Sequence, residues 1–276
     1  MRNHRSLHRE RRGYPWGESA ILLIAAIGGY AIKLPFGLLA NRYLAAPGTP
    51  TGFTAWGLVL MALQLIAVVA GLAVYKRIPL PGAPWLERRL GRADAVRRPL
   101  WRPALIGVLI CLLVTIVVSV AAAHLGAGSK LGSQIRAPSL PRSVLVTLAA
   151  LYPFATIGAA LSEEMVYRLG LISVLIWLFV QLWPRAKASG VLLFWLPVIL
   201  VGLLFGYVHV AENVEAVQLG GPIISTLIAP QTWAGVVFGY LFCAYGLEAA
   251  IVCHAATDLA APFVLFGLGQ LLHRLG

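Results

Sequence analysis

The sequence predicts an all-α polytopic membrane protein of about eight transmembrane helices. Of its 276 residues, 59% are hydrophobic and only 12% are charged, whereas a soluble domain carries about 25% charged residues. So few charges cannot cover a surface that faces water. Apolar stretches of the length that a bilayer requires recur along the chain, so most of the protein is expected to lie in the membrane.

Eight apolar stretches are candidates for these helices, since a helix needs about 20 residues to cross the hydrocarbon core. The first contains Lys33, whose ammonium could reach the headgroups and to which we assign no function. The fifth is too short to cross unless its helix continues from Glu163. The stretches are residues 18–40, 53–75, 103–124, 143–164, 169–183, 191–209, 232–245 and 247–271.

Positive charge concentrates in an N-terminal arm (residues 1–17) and in the stretch 76–102, and the net charge is +12. Both segments adjoin apolar spans, and two spans separate them, so the positive-inside rule places both in the cytoplasm. The flanking spans explain this charge without a nucleic-acid partner. The predicted organisation is the basic arm, then helices with a basic loop (18–142), then a transmembrane core (143–276). A short, loop-poor, arginine-rich chain is typical of a prokaryotic plasma membrane protein.

Ionisable residues interrupt the apolar stretches of the core. Glu163 and Glu164 follow Ser162, His209 ends one span, and His254 lies early in the last span. Ionisable groups are costly in hydrocarbon and usually persist where a cavity or a reaction needs them. Two carboxylates and two imidazoles are groups that can activate water. The core is therefore predicted to enclose an intramembrane catalytic cavity.

The spacing of these residues places partners on common helix faces. Glu164 and Arg168 are four residues apart and can form an ion pair, which rotates Glu163 away from the pair and towards a cavity. His254 and Asp258 have the same spacing, so the carboxylate can orient the imidazole. In the alternative interpretation, the glutamates are a charge cluster at a helix end. Each histidine could likewise simply hydrogen-bond to a neighbouring helix.

Full crossing by all eight spans would put His254 nearer the opposite face of the membrane from Glu163 and His209. Helices broken or shortened at Pro230 or Pro262 could remove this difference in depth.

Several other features favour a structural role or exclude a site class. Glu248 lies where the last helix is expected to begin, and a carboxylate in a first turn is stabilised by the helix dipole. Cysteines lie within apolar stretches, at no metal-binding or redox spacing. The sequence contains neither a His-Glu-x-x-His zinc motif nor a Gly-x-Ser-x-Gly nucleophile motif.

The ordered motifs Glu-Glu-x-x-x-Arg, Phe-x-x-x-His and His-x-x-x-Asn/Asp resemble those of the CPBP intramembrane proteases. These include type II CAAX prenyl endopeptidases and bacteriocin-processing or self-immunity proteins. The resemblance covers residues 143–260 and implies that 143–276 is a catalytic core. It implies an endopeptidase acting at the lipid bilayer on a membrane-associated peptide or a lipidated protein C-terminus. The matching positions are Glu163, Glu164 and Arg168, then Phe205 and His209, then His254 and Asp258.

The resemblance also implies roles for these residues. Glu163 and His209 would deprotonate the attacking water, while His254 and residue 258 would stabilise the oxyanion. Arg168 would hold Glu164, which shapes the site. An ionised Asp258 cannot donate a hydrogen bond to an oxyanion as an asparagine can, so it would be protonated, orient His254, or help to bind a metal.

Three points stay open at the level of sequence. Glu163, His209 and His254 could hold a zinc ion with an open water position, or the reaction could need no cofactor. A non-catalytic immunity or scaffold protein would keep the same fold. A proton-coupled transporter would also place histidine and glutamate inside the membrane.

Overall fold

The computed structural model describes residues 16–44, 55–78, 80–91, 100–124, 140–183, 190–212, 225–227 and 229–275. Within these ranges the chain forms helices and turns and no β-strand, which confirms the predicted all-α fold. Most of the basic arm (residues 1–15) and part of the basic loop (residues 92–99) lie outside the described residues.

The described part of the chain contains nine α-helices. They are α1 (Trp16–Leu44), α2 (Ala55–Val74), α3 (Pro84–Arg89), α4 (Trp101–His124), α5 (Arg142–Glu164), α6 (Ser173–Leu182), α7 (Gly190–Glu212), α8 (Pro230–Tyr245) and α9 (Leu247–Leu275). A 3₁₀ turn, Tyr75–Arg77, ends α2. A π-helical segment, Met165–Ile172, joins α5 to α6 without a break.

Six helical runs among the described residues are long and apolar enough to cross a membrane. The chain is therefore an integral, multi-pass membrane protein, while the predicted count of eight spans is not confirmed. Two of the predicted stretches, 143–164 and 169–183, form one continuous run, Arg142–Leu182. The stretch 232–245 forms α8, whose 16 residues are fewer than the roughly 20 that a full crossing needs.

The distribution of side chains is inverted relative to that of a soluble protein. Large apolar side chains face outwards, for example Leu113 at 60% exposure and Phe266 at 70% exposure. Charged side chains lie inside, and Glu18, Glu164 and Arg168 are all fully buried. This arrangement suits a lipid solvent, because lipid accepts apolar surface but does not hydrate charge.

Glycines allow the central helices to approach closely. A Cβ atom built on Gly29 of α1 would lie 2.7 Å from both the Gly158 carbonyl oxygen and the Ser162 amide nitrogen of α5. Gly71 of α2 contacts the π-helical segment more tightly still, since its Cβ would lie 2.1 Å from the Leu169 carbonyl oxygen. Small residues at such crossings are typical of membrane helices.

Polar contacts hold the short helix α3 and the preceding 3₁₀ turn in place. Glu248, in the first turn of α9, accepts hydrogen bonds of 3.0 Å from the backbone amides of Trp85 and Leu86. The buried Glu18 accepts a hydrogen bond from the Tyr75 hydroxyl (2.6 Å) and pairs with Lys76, 3.1 Å away. Glu248 thus provides the first amides of α3 with an acceptor.

Candidate active site

The two adjacent glutamates lie where α5 passes into the π-helical segment. Glu163 and Glu164 are the last two residues of α5, and Met165–Ile172 continues with the wider π turn. A π turn holds an extra residue, which changes the direction of the side chains relative to a regular α-helix, and such turns recur at functional sites. Here Glu163 is 20% exposed, whereas Glu164 is fully buried.

Glu164 and Arg168 form a buried ion pair on one face of this segment. The Arg168 Nε atom lies 3.0 Å from Glu164 Oε2, and both side chains are fully buried. Arg168 Nη2 also donates a hydrogen bond of 3.1 Å to the Gly235 carbonyl of α8. The guanidinium centre lies 4.9 Å from the ring centroid of Phe205 and 5.3 Å from that of Phe238. These aromatic faces add cation–π attraction, which is strongest away from water.

His254 of α9 lies between two carboxylates. Its Nδ1 atom is 2.8 Å from Glu164 Oε1, and its Nε2 atom is 3.3 Å from Asp258 Oδ2, one turn later on α9. Phe238 stacks on the imidazole, with centroids 4.6 Å apart and 16° between the planes. Both edges and one face of the ring are therefore fixed, so its orientation is set before any substrate binds.

Glu163 lies at the point where α1, α7 and α9 meet α5. Its Oε2 atom is 4.0 Å from His209 Nε2 and 3.9 Å from His254 Nε2. Its Oε1 atom lies 3.4 Å from Lys33 Nζ. The difference in depth between Glu163 and His254 that eight full crossings would cause is therefore not present. Neither proline breaks a helix at this point, since Pro230 starts α8 and α9 continues through Pro262.

The backbone of α7 determines the tautomer of His209. Nδ1 lies 2.8 Å from the Phe205 carbonyl oxygen, which can only accept a hydrogen bond. Nδ1 therefore carries a proton, and a neutral His209 presents the lone pair of Nε2 towards Glu163. The Phe205 ring lies against the imidazole, with centroids 4.3 Å apart, and supports this orientation.

An apolar cavity of about 640 Å³ adjoins this cluster. Side chains from α1, α2, α5 and α9 line it, and its charged lining residues in the described part of the chain are Lys33 and Asp258. Both contact the cluster, Lys33 through Glu163 and Asp258 through His254. The cavity therefore joins an apolar binding volume to the ionisable groups, as small-molecule and peptide sites commonly do.

The proposed metal ligands do not fit a zinc ion as they are placed. Two ligands of a tetrahedral zinc ion lie about 3.4 Å apart, since each bond is about 2.0–2.2 Å long. Glu163 Oε2 is 3.9 Å and 4.0 Å from the imidazole nitrogens of His254 and His209. The Lys33 ammonium contacts the same carboxylate and would repel a cation. No group of three or more His, Cys, Asp or Glu among the described side chains is arranged to hold a metal.

The structure brings together every site residue that the sequence predicted, and it adds three. Lys33, Phe238 and Tyr152 carry no motif, and their partners are far away in the sequence. Tyr152 donates a hydrogen bond of 2.6 Å to the backbone carbonyl of Asp258. The charge of Lys33 inside an apolar span is the one signal in the sequence, and by itself it equally fits a contact with lipid headgroups.

A membrane-embedded helical bundle with carboxylates and imidazoles in contact inside it defines a polytopic membrane protein with an internal ionisable site. Residues 145–260 match the family model described as Type II CAAX prenyl endopeptidase Rce1-like. The match supports the resemblance of this part of the chain to the CPBP proteins. No curated protein and no solved structure matches the chain. The glutamates, the histidines and Asp258 lie within the matched segment, and Lys33 lies outside it.

Proposed function

We propose that the protein is an intramembrane endopeptidase that hydrolyses a peptide bond of a membrane-associated substrate. The observation that carries this proposal is the position of Glu163 Oε2, about equally far from the imidazole nitrogens of His209 (4.0 Å) and His254 (3.9 Å). These distances are too long for direct hydrogen bonds. A water molecule that donates one hydrogen to Glu163 Oε2 and the other to His209 Nε2 would keep a lone pair available for attack.

Glu163 and His209 act as the general base in this mechanism. As the water attacks the carbonyl carbon, its proton passes to the carboxylate, and a tetrahedral oxyanion forms. The intermediate collapses when the C–N bond breaks and the proton is delivered to the leaving nitrogen. One water molecule is consumed, and the products are a carboxylic acid and an amine, which ionise to a carboxylate and an ammonium. No covalent enzyme intermediate is required.

The other charged residues of the matched motifs position His254 beside this base. Arg168 neutralises Glu164, and Glu164 in turn fixes His254 through Nδ1. Stabilisation of the oxyanion by His254 and Asp258, which the resemblance implies, stays a prediction.

The family match and the cavity both support one class of substrate. An apolar volume beside the base suits a lipid chain or apolar side chains that enter from the bilayer. A lipidated, CAAX-type C-terminus has this chemistry, and an unmodified membrane-associated peptide is the other candidate.

The test is cleavage of prenylated and unmodified CAAX peptides by the detergent-purified protein, with products identified by mass spectrometry. Wild type should release a C-terminal peptide, and Glu163→Gln should lose about 10²–10⁴-fold in rate, the contribution of a general base. Glu248→Gln is the matched control, because this partly buried glutamate contacts the backbone of α3 rather than the cluster, and its substitution should leave cleavage unchanged. Equal cleavage by wild type and Glu163→Gln would remove Glu163 from the mechanism. No cleavage by the wild type would contradict CAAX-type activity.

A further inference from the structure

The tetrahedral intermediate needs a hydrogen-bond donor, and the matched motifs do not leave one directed at it. His254 faces the Glu164 carboxylate with Nδ1, at 2.8 Å, and the Asp258 carboxylate with Nε2, at 3.3 Å. Nδ1 is therefore directed at Glu164, and the carboxylates of Asp258 and Glu163 lie 3.3 Å and 3.9 Å from Nε2, where they compete for any N–H that it carries. Asp258 itself accepts hydrogen bonds when ionised and donates none. The oxyanion can therefore accept a hydrogen bond from a further donor outside the matched motifs.

We propose that Lys33 of α1 stabilises the oxyanion, an inference that rests on the proposed function. Its ammonium would supply the hydrogen bond that the amide of an asparagine at position 258 would otherwise donate. This residue belongs to a helix outside the segment that matches the family. It would be a catalytic residue, because its ammonium would contact the reacting oxygen.

The other polar side chains that line the cavity already donate elsewhere. The Tyr152 hydroxyl donates to the Asp258 carbonyl, and the Tyr30 hydroxyl donates to Gln64 Oε1. The Thr156 hydroxyl donates to the Pro153 carbonyl. Lys33 has three N–H donors, and within the described structure one of them is directed at Glu163 Oε1. Lys33 therefore retains donors that a developing negative charge can use.

The placement of Lys33 is fixed by the crossing of α1 and α5. Gly29 and Gly158 bring the two backbones into contact, and Lys33 lies one turn beyond Gly29, as Glu163 lies just over one turn beyond Gly158. The ammonium also lies 4.9 Å from the centroid of the Tyr30 ring, which restrains its position. Lys33 is 31% exposed, so it faces the cavity while it contacts Glu163.

The two carboxylate oxygens of Glu163 face different partners. Oε2 faces the histidines and would hold the attacking water, while Oε1 faces the ammonium. When the water oxygen bonds to the carbonyl carbon, the carbonyl π electrons move onto its oxygen, and the proton released by the water goes to Glu163. The carboxylate thus loses its negative charge in the step in which the oxyanion gains one. Attraction by Lys33 can then shift from Glu163 to the substrate oxygen with no net change of charge in the site.

The experiment is a double-mutant cycle at positions 33 and 258, with a farnesylated CAAX peptide as the probe and kcat and KM measured separately. Lys33→Met should lower kcat by about 10²–10³-fold, the usual loss for one oxyanion donor, with little change in KM. Lys33→Arg should keep most of kcat. In the Lys33→Met background, Asp258→Asn should restore kcat by at least about tenfold, because its amide supplies the missing donor, and Asp258→Asn alone completes the cycle. Arg42→Met, on the same helix, controls for loss of a cation from α1.

Recovery of kcat by the asparagine is the result that a purely structural lysine would not produce. If kcat of Lys33→Met matches the wild type, or if Asp258→Asn fails to restore it, Lys33 is not the oxyanion donor, and the general-base role of Glu163 is unaffected. If wild type and Glu163→Gln cleave the peptide equally, or if neither cleaves it, the proposed function fails, and the role of Lys33 fails with it.

Discussion

Two adjacent glutamates acquire different properties because their surroundings differ. Glu164 is fully buried, with Arg168 3.0 Å from one of its oxygens and His254 2.8 Å from the other. Glu163 is partly exposed and faces the cavity through longer contacts. A side chain held at short range is suited to positioning others, whereas one that leaves room for a small molecule is suited to proton transfer. The chemistry therefore depends on which of the two carboxylates has direct partners.

The Arg168–Glu164 pair should be a large contributor to stability when one partner alone is removed. Arg168→Met leaves a buried carboxylate without its cation, and breaking a buried ion pair costs about 3–5 kcal/mol. Adding Glu164→Gln to Arg168→Met should recover part of this loss, because the unpaired charge is removed as well. Thermal unfolding in detergent is the measurement, with Arg102→Met as an exposed control that should change stability by less than about 0.5 kcal/mol. A double variant less stable than Arg168→Met would contradict the pairing.

At the scale of helices, the site depends on how closely α1 approaches α5. The contact at Gly29 has no room for a side chain, because an added Cβ would lie 2.7 Å from two backbone atoms of α5. Backbone atoms cannot move aside as a flexible side chain can, so the helices would have to separate. Lys33 lies on the same helix, and separation would withdraw it from Glu163.

Gly29→Ala should therefore reduce both stability and peptide cleavage, while Gly28→Ala should not. Overpacking of this kind costs about 1–3 kcal/mol. A Cβ on Gly28 meets nothing within 4 Å, and alanine is favoured over glycine in a helix by about 0.5–1 kcal/mol. Thermal unfolding and the cleavage assay, run on both variants, provide the comparison. Equal effects of the two substitutions would show that the close crossing is not needed.

At the scale of the whole molecule, the features that can be predicted from sequence are those that depend on residues close together in the chain. The pair Glu164–Arg168 and the pair His254–Asp258 each lie one helical turn apart, so three-dimensional knowledge was not needed to place them together. The all-α membrane fold followed from composition in the same way. The boundary between the predicted fourth and fifth spans was less well determined, because charges at residues 163, 164 and 168 resemble a helix end when their partners are unknown.

The contacts that the sequence did not predict all join distant parts of the chain. Lys33 and Glu163 are 130 residues apart, and Tyr152 and Asp258 are 106 residues apart. Such contacts depend on which helices become neighbours, and apolar stretches of similar composition do not encode this in a form that periodicity reveals. Gly29 and Gly158 are required where α1 crosses α5. A glycine in an apolar span does not by itself identify which helix will pack against it.

The exposed apolar side chains of α4 predict which of its residues lie in the hydrocarbon core and which lie near the headgroups. Leu113 and Trp101 of α4 are equally exposed, at 60% and 61%, but Leu113 lies near the middle of the helix and Trp101 is its first residue. In water, arginine at either position would be tolerated. In a bilayer, Leu113→Arg places a charge near the centre of the hydrocarbon, at an apparent cost of about 2.5–3.5 kcal/mol. Trp101→Arg leaves the charge close to the headgroups, where it can reach water. A membrane-insertion assay on both variants should show a clear loss for Leu113→Arg and little change for Trp101→Arg, and similar insertion of the two would contradict a full crossing by α4.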